Sequence, residues 1–217
     1  MIGDILPPSV AWAERFDDED RASPYAQEEA VIEGAGAERT RSFRTVRHCA
    51  RLAMAGLGLP PAPVLHGERG EPRWPDGVVG SMTHCVGYRG AALARDTALL
   101  GLGIDAEPHR PLPARFLRSV SLPEEHAALE RLAAGQPHIH WDRLLFSAKE
   151  TVYKVWFPLT RSRLGFTEAD IRFDPDGRFT ARLLRAAPLA HEHRLGMLHG
   201  RWLVHDGFAA TAIGVEA

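Results

Sequence analysis

The chain has 217 residues, 45% of them hydrophobic and 25% charged, with a net charge of −2 and a pI near 6.6. These are the proportions of a soluble globular protein of one large or two smaller units, and the balance gives no reason to expect nucleic-acid binding. No run approaches the ~18 apolar residues of a membrane span, and Cys49 and Cys85, without a CxxC pair, indicate neither a disulfide framework nor a zinc site.

Residues 1–40 are rich in acids, prolines and small residues and read as loops with one short helix. No basic start with an apolar stretch of signal-peptide length appears there, so the expectation is a cytoplasmic protein with reduced thiols. From Ser42 the apolar positions Phe43, Val46, Ala50, Ala53, Met54 and Leu57 recur at helical spacing until Gly58 and the prolines beyond it stop the helix. Arg44, Arg47, His48 and Arg51 form its other stripe. After a Gly/Pro-rich loop, three short runs, 78–85, 87–95 and 98–107, have strand character and suggest an antiparallel meander.

The second half follows a similar plan. Helix signals over 113–135 lead to a strong helix from about Trp141 to Phe157, with Leu145, Ala148, Val152 and Trp156 on its apolar face. Two hairpins follow, turning at 174–177 (DPDG) and 205–207 (HDG). Helix followed by strands, twice, predicts an α+β fold of two similar pseudo-twofold halves, 1–112 and 113–217, with a cleft between them. A cleft formed within one chain favours a monomer.

Three groups of residues suggest chemistry. Asp105 and Glu107 stand two apart at the end of an apolar strand, so both carboxylates project to one side. Neighbouring carboxylates repel unless a cation or proton separates them, and Mg²⁺ suits such oxygen donors. A solvated strand end is the plainer reading of that pair alone. The stretch Phe146–Trp156 (FSAKETVYKVW) carries Lys149 and Lys154, the only lysines among 26 cationic residues. An ammonium can give up a proton and a guanidinium cannot, so two retained lysines around Glu150 invite a chemical reading beside that of an ordinary Glu150–Lys154 helix pair. Three carboxylates and two lysines suit phosphoryl-type transfer, which depends on positioning and charge stabilisation. Finally, Ser81, Thr83 and His84 lie at a strand end, where a histidine can donate to phosphate. The pairs HIH (138–140) and HEH (191–193) are weak metal signals, and Arg69 and Arg73 read first as solvated charges. Neither GxxxxGK[ST] nor GxGxxG occurs, which argues against an ordinary nucleotide-binding loop.

GIDAE (103–107) followed by FSAKETVYK (146–154), with WPDGVVGSMTHC (74–85) and RHCARLAMAGLG (47–58) upstream, resembles the ordered signature of Sfp-type 4′-phosphopantetheinyl transferases. The likeness is greatest to the EntD branch and its actinobacterial members, the mycobacterial enzyme included, and covers about residues 39–165. Phe146 stands where Trp is commoner and Thr151 where Ala or Ser is usual.

The resemblance implies a monomer that moves phosphopantetheine from coenzyme A to a serine of an acyl or peptidyl carrier protein and releases 3′,5′-ADP. It implies that Asp105, Glu107 and Glu150 bind Mg²⁺, with Mn²⁺ an acceptable substitute, and that Ala106 leaves the shell to be completed by water or substrate oxygen. Glu150 would help to deprotonate the serine and Lys154 would serve the leaving phosphate. Lys149 and His84 would contact the phosphates of coenzyme A beside Ser81 and Thr83, and Arg39, Arg47 and Arg69 would hold its nucleotide end. Arg115, Phe116, Leu117 and Arg118 suit an acidic carrier helix or a surface helix closing the cleft. The alternatives are another Mg²⁺-dependent phosphotransferase, disfavoured by the missing P-loop, and a non-catalytic coenzyme A- or carrier-binding module of the same fold.

Overall fold

A computed structural model describes residues 1–18, 22–186 and 195–217. Strand β1 (Ala11–Arg15) comes first, followed by helices α1 (Ala26–Val31) and α2 (Ala37–Gly56). A two-stranded ribbon, β2 (Leu65–His66) with β3 (Pro72–Arg73), leads to β4 (Val78–Cys85), β5 (Tyr88–Arg95) and β6 (Leu99–Pro108). Helices α3 (Ala114–Val120), α4 (Pro123–Gly135) and α5 (Trp141–Thr160) follow. The chain ends with β7 (Ala169–Asp174), β8 (Arg178–Leu183), β9 (Met197–His205) and β10 (Phe208–Glu216).

All described strand pairs are antiparallel, in a three-stranded sheet ordered β1-β5-β4 and a five-stranded sheet ordered β6-β10-β9-β8-β7. The α+β class is therefore as expected. The meander is not: β6 does not pair with β5, because β1 occupies the edge of β5 where a third meander strand would have added. β6 instead pairs with β10, in a register that sets Asp105 opposite Thr211. Hydrogen bonding thus unites β6 with the later strands, and the sheets divide at the turn before Leu99. The opening segment also holds a strand, β1, where only loops and a helix were expected. Its alternating pattern is short, and its partner lies some eighty residues downstream.

Each sheet carries a 20-residue helix. Cys49, Ala50, Ala53 and Met54 of α2 pack on Val78, Ala91 and Leu93, while Leu145, Ala148, Val152 and Trp156 of α5 join Ile171, Phe179, Trp202 and Ile213. A third apolar cluster, which includes Tyr88, Ala92, Ile104 and Ala210, lies where the sheets meet. β6 has almost no room under α5: a Cβ on Gly103 would overlap the carbonyl oxygen of Thr151 and stand 2.8 Å from a methyl of Val155. Below the same helix, the buried hydroxyls of Ser147 and Thr151 bond that of Thr211 at 2.9 and 2.7 Å. Close approach and this hydroxyl cluster together seat α5 on β6 and β10.

Candidate active site at the seam between the sheets

β4 and β6 run side by side without a backbone ladder. Side chains bridge them instead. The amide of Ile104 donates to Ser81 Oγ and that of Ala106 to Thr83 Oγ1, each at 3.1 Å. Ser81 and Thr83 are 2% and 3% exposed, so their hydroxyls are committed to the interior. There they satisfy strand amides, and a coenzyme contact from either hydroxyl would have to compete with these bonds.

Asp105 lies in this seam, 5% exposed. Its Oδ1 accepts from Thr83 Oγ1 at 3.2 Å and from Lys154 Nζ at 2.9 Å, and the ammonium also donates to the carbonyl of Ile104 at 2.9 Å. Lys154 therefore crosses to the neighbouring strand and is more than the partner of Glu150. The other oxygen, Asp105 Oδ2, is buried with no hydrogen-bond partner among the described residues. A buried carboxylate oxygen without a partner is costly, and a hard cation would satisfy it.

Glu107, two residues on, receives Arg143 of α5 at 3.0 Å. Burial, then the charge of Asp105, pushes its carboxyl up to about 7, against the pull of Arg143. Glu150 is half-buried on the same helix, and its pKa is raised chiefly by burial, with Lys154 opposing and Asp105 adding to the rise. Three carboxyl groups thus share one region with only part of their charge neutralised. Among the described residues they do not converge into a ready-made cage of three ligands; Lys154 and Arg143 hold two of them. The donor set is all oxygen, which fits Mg²⁺ or Mn²⁺ better than a softer metal.

The two lysines diverge. Lys149 is 3% exposed and its three protons go to Glu125 Oε2 at 2.8 Å and to the carbonyls of Phe166 and Ala169 at 2.7 and 3.1 Å. These bonds make Lys149 an internal strut joining α5, α4 and the approach to β7, and a coenzyme phosphate would have to displace one of them. Beside it opens a cavity of about 240 Å³, lined by Glu150, Tyr153, Arg163, Leu164 and Phe166.

The arginines of α2 are also largely engaged within the fold. Arg44 pairs with Glu29 and Arg51 with the fully buried Glu28. Arg47 is 6% exposed, lies over the Phe43 ring and donates to the carbonyl of Val64 at 2.8 Å; burial lowers its pKa to about 10. Arg39 and Arg69 are exposed, in the first turn of α2 and between β2 and β3. His84 presents an exposed ring whose pKa is lowered by partial enclosure and by the charges of Lys154 and Arg89.

Of the weaker signals, His140 stands at the N-cap position of α5 without a side-chain cap bond, its ring tilted against that of His109 with centroids 4.6 Å apart, while the HEH triplet lies outside the described residues. Arg143 and Glu125 were missed in the sequence. Arg143 had a signal, since it precedes Glu150 by seven residues and Lys154 by eleven on one helical face. Glu125 had none, because it meets Lys149 only through the packing of α4 on α5.

The 4′-phosphopantetheinyl transferase N-terminal domain profile matches residues 27–94, and that of the 4′-phosphopantetheinyl transferase superfamily matches residues 101–212. The chain is 52% identical to 4′-phosphopantetheinyl transferase Svp of Streptomyces mobaraensis, covering 100% of this chain and 90% of that one. It is 46% identical to 4′-phosphopantetheinyl transferase PptT of Mycobacterium tuberculosis, covering 98% and 97%. Identity to 4′-phosphopantetheinyl transferase Npt of Nocardia iowensis is also 46%, covering 98% and 99%.

Proposed function

The chain belongs to the 4′-phosphopantetheinyl transferase superfamily, and from that premise we propose that it moves the 4′-phosphopantetheine of coenzyme A to a serine hydroxyl of an acyl or peptidyl carrier protein, releasing 3′,5′-ADP. The observation that carries the proposal is the seam itself: a buried, unpartnered carboxylate oxygen beside two further carboxyl groups and a lysine that reaches the same aspartate.

Asp105, Glu107 and Glu150 would hold a divalent cation, Mg²⁺ by preference and Mn²⁺ as a substitute. Such an ion, when bound, neutralises pyrophosphate charge and draws it toward the seam. Glu150 accepts the serine proton, a role suited to a half-buried carboxyl whose pKa is raised. The serine oxygen bonds to the phosphorus that bears pantetheine, and the bridging P–O bond breaks. Lys154 Nζ, with side-chain exposure of 26% and two of its protons used internally, retains one to give the departing phosphate oxygen. Its compact charge and movable proton are what Arg would not supply.

His84, Arg39, Arg47 and Arg69 are the proposed holders of the coenzyme phosphates. Arg47 contributes least, because it is already tied to Val64. The cavity at Glu150, Tyr153 and Phe166 suits a pantetheine arm, being about 240 Å³ in volume and of mixed polarity. Carrier docking is proposed near Arg115, Phe116 and Arg118, of which both arginines and the ring are exposed on α3. A site assembled within one chain supports action as a monomer. Among the described residues no helix is long and apolar enough to cross a membrane.

Intact-mass spectrometry of an apo carrier incubated with the protein, coenzyme A and Mg²⁺ tests the proposal. The expected result is a mass gain of one phosphopantetheine, lost with EDTA and with Glu150→Gln. Coenzyme A binding without mass gain on several unrelated carriers would instead establish a binding module.

A further inference from the structure

We propose that Thr83 is a positioning residue that aims Asp105 at the cation. This rests on the metal reading of the seam given above. A carboxylate has two oxygens, and here they are treated unequally. Oδ1 takes the Thr83 hydroxyl at 3.2 Å and the Lys154 ammonium at 2.9 Å, while Oδ2 takes no donor among the described residues. Two donors on one oxygen define the plane and the rotation of the carboxylate, and the oxygen left over is the one available to a ligand.

Thr83 can hold this orientation because it is itself held. Its Oγ1 accepts the amide of Ala106 at 3.1 Å, so its single proton is directed to Asp105. The residue is 3% exposed on β4, where its backbone is registered against Gly90 of β5. The hydroxyl thus connects three things: the β4 backbone, the β6 backbone and the side chain between them. Lys154 cannot do the same alone, because its long flexible stem allows the carboxylate to rotate with it. Ser81 provides an internal comparison. It bridges β4 to β6 in the same way, through the amide of Ile104, but among the described residues it bonds no carboxylate. Both hydroxyls therefore join the sheets, and only Thr83 also touches Asp105.

The test is a titration of Mn²⁺ followed by electron paramagnetic resonance, with saturating coenzyme A, on wild type, Thr83→Val, Thr83→Ser and Ser81→Ala. Thermal unfolding of the same proteins is measured alongside. Removal of an outer-shell partner commonly weakens metal binding by about tenfold or more, and that loss is expected for Thr83→Val. Thr83→Ser should restore affinity to within about twofold of wild type. Ser81→Ala should lose stability comparably, since it also orphans a buried amide, while keeping its Mn²⁺ affinity. Should Thr83→Val not fold, Thr83→Ala removes the same hydroxyl with less crowding and is read in the same way. Unchanged Mn²⁺ affinity in the hydroxyl-free variants, or an equal loss in Ser81→Ala, overturns the assignment of Thr83 alone. Absence of Mn²⁺ binding in wild type overturns the metal reading and the assignment together.

Discussion

Two regions of the molecule receive a lysine from the same helix and use it in opposite ways. In the wall between α4 and α5, Lys149 meets Glu125 with both side chains 1% exposed, and backbone carbonyls take its remaining protons. In the seam between β4 and β6, Lys154 meets Asp105 with a quarter of its side chain still exposed and one proton unspent. The carboxylates differ in parallel. Glu125 accepts from Lys149 through one oxygen and from the amides of Leu122 and Ile171 through its two oxygens, whereas Asp105 Oδ2 has no partner among the described residues. A buried ion pair whose bonding capacity is filled fixes structure; one with capacity left over can take part in chemistry.

Breaking the seam should cost the most activity. Lys154→Met is expected to lower the transfer rate by about 10²-fold or more in protein that remains folded, read by carrier mass gain and calorimetry. The loss of stability should be smaller than at Lys149, because Asp105 keeps Thr83 and the lysine it loses is partly exposed. Equal losses of rate and stability would place Lys154 with the structural lysine instead.

Breaking the wall should cost stability. Lys149→Met strands Glu125 as a buried charge, and a loss of about 3–5 kcal/mol is expected by chemical denaturation. Replacing both partners, Lys149→Met with Glu125→Leu, should recover most of it, because well-packed apolar groups can replace a buried ion pair without large penalty.

Gly103→Ala acts on both regions at once by lifting α5 from β6. Overpacking of this kind costs about 1–3 kcal/mol, and the rate should fall further than the stability loss explains, since Glu150 and Lys154 move with the helix. A variant of normal rate would show that the helix height does not set the site.

The smallest effect sharpens the electrostatic side of the comparison. The Glu107 carboxyl is raised from 4.5 to about 7 in the folded chain, so the folded state holds a proton that the unfolded state gives up between those values. Its contribution to stability is full below about pH 4.5 and is lost as pH rises toward 7. Metal-free protein should thus lose a little stability over that interval, and Mg²⁺ should raise the thermal midpoint more at pH 8 than at pH 5.5.

Much of the seam was legible in the chain. Asp105 and Glu107 were found from strand periodicity, Glu150 and Lys154 from helix spacing, and the composition singled out the two lysines. These signals are local, and local geometry follows from spacing. Ser81, Thr83 and Lys149 were identified as important, but their internal bonds were not foreseen, because residue type does not reveal whether a donor is already used. Likewise β6 was recognised as a strand, but its partner was not, since β5 and β10 offer equally suitable edges in one dimension.

The sequence by itself determined the α+β class, the two long helices, the carboxylate pair and the family. Tertiary structure alone decided that β1 fills the edge of β5, that β6 joins β10, that Lys149 is buried against Glu125 and that one oxygen of Asp105 has no partner among the described residues. The physical reason is that periodicity and residue chemistry are properties of neighbours along the chain, whereas saturation of a hydrogen-bonding group depends on what packing brings from far along it.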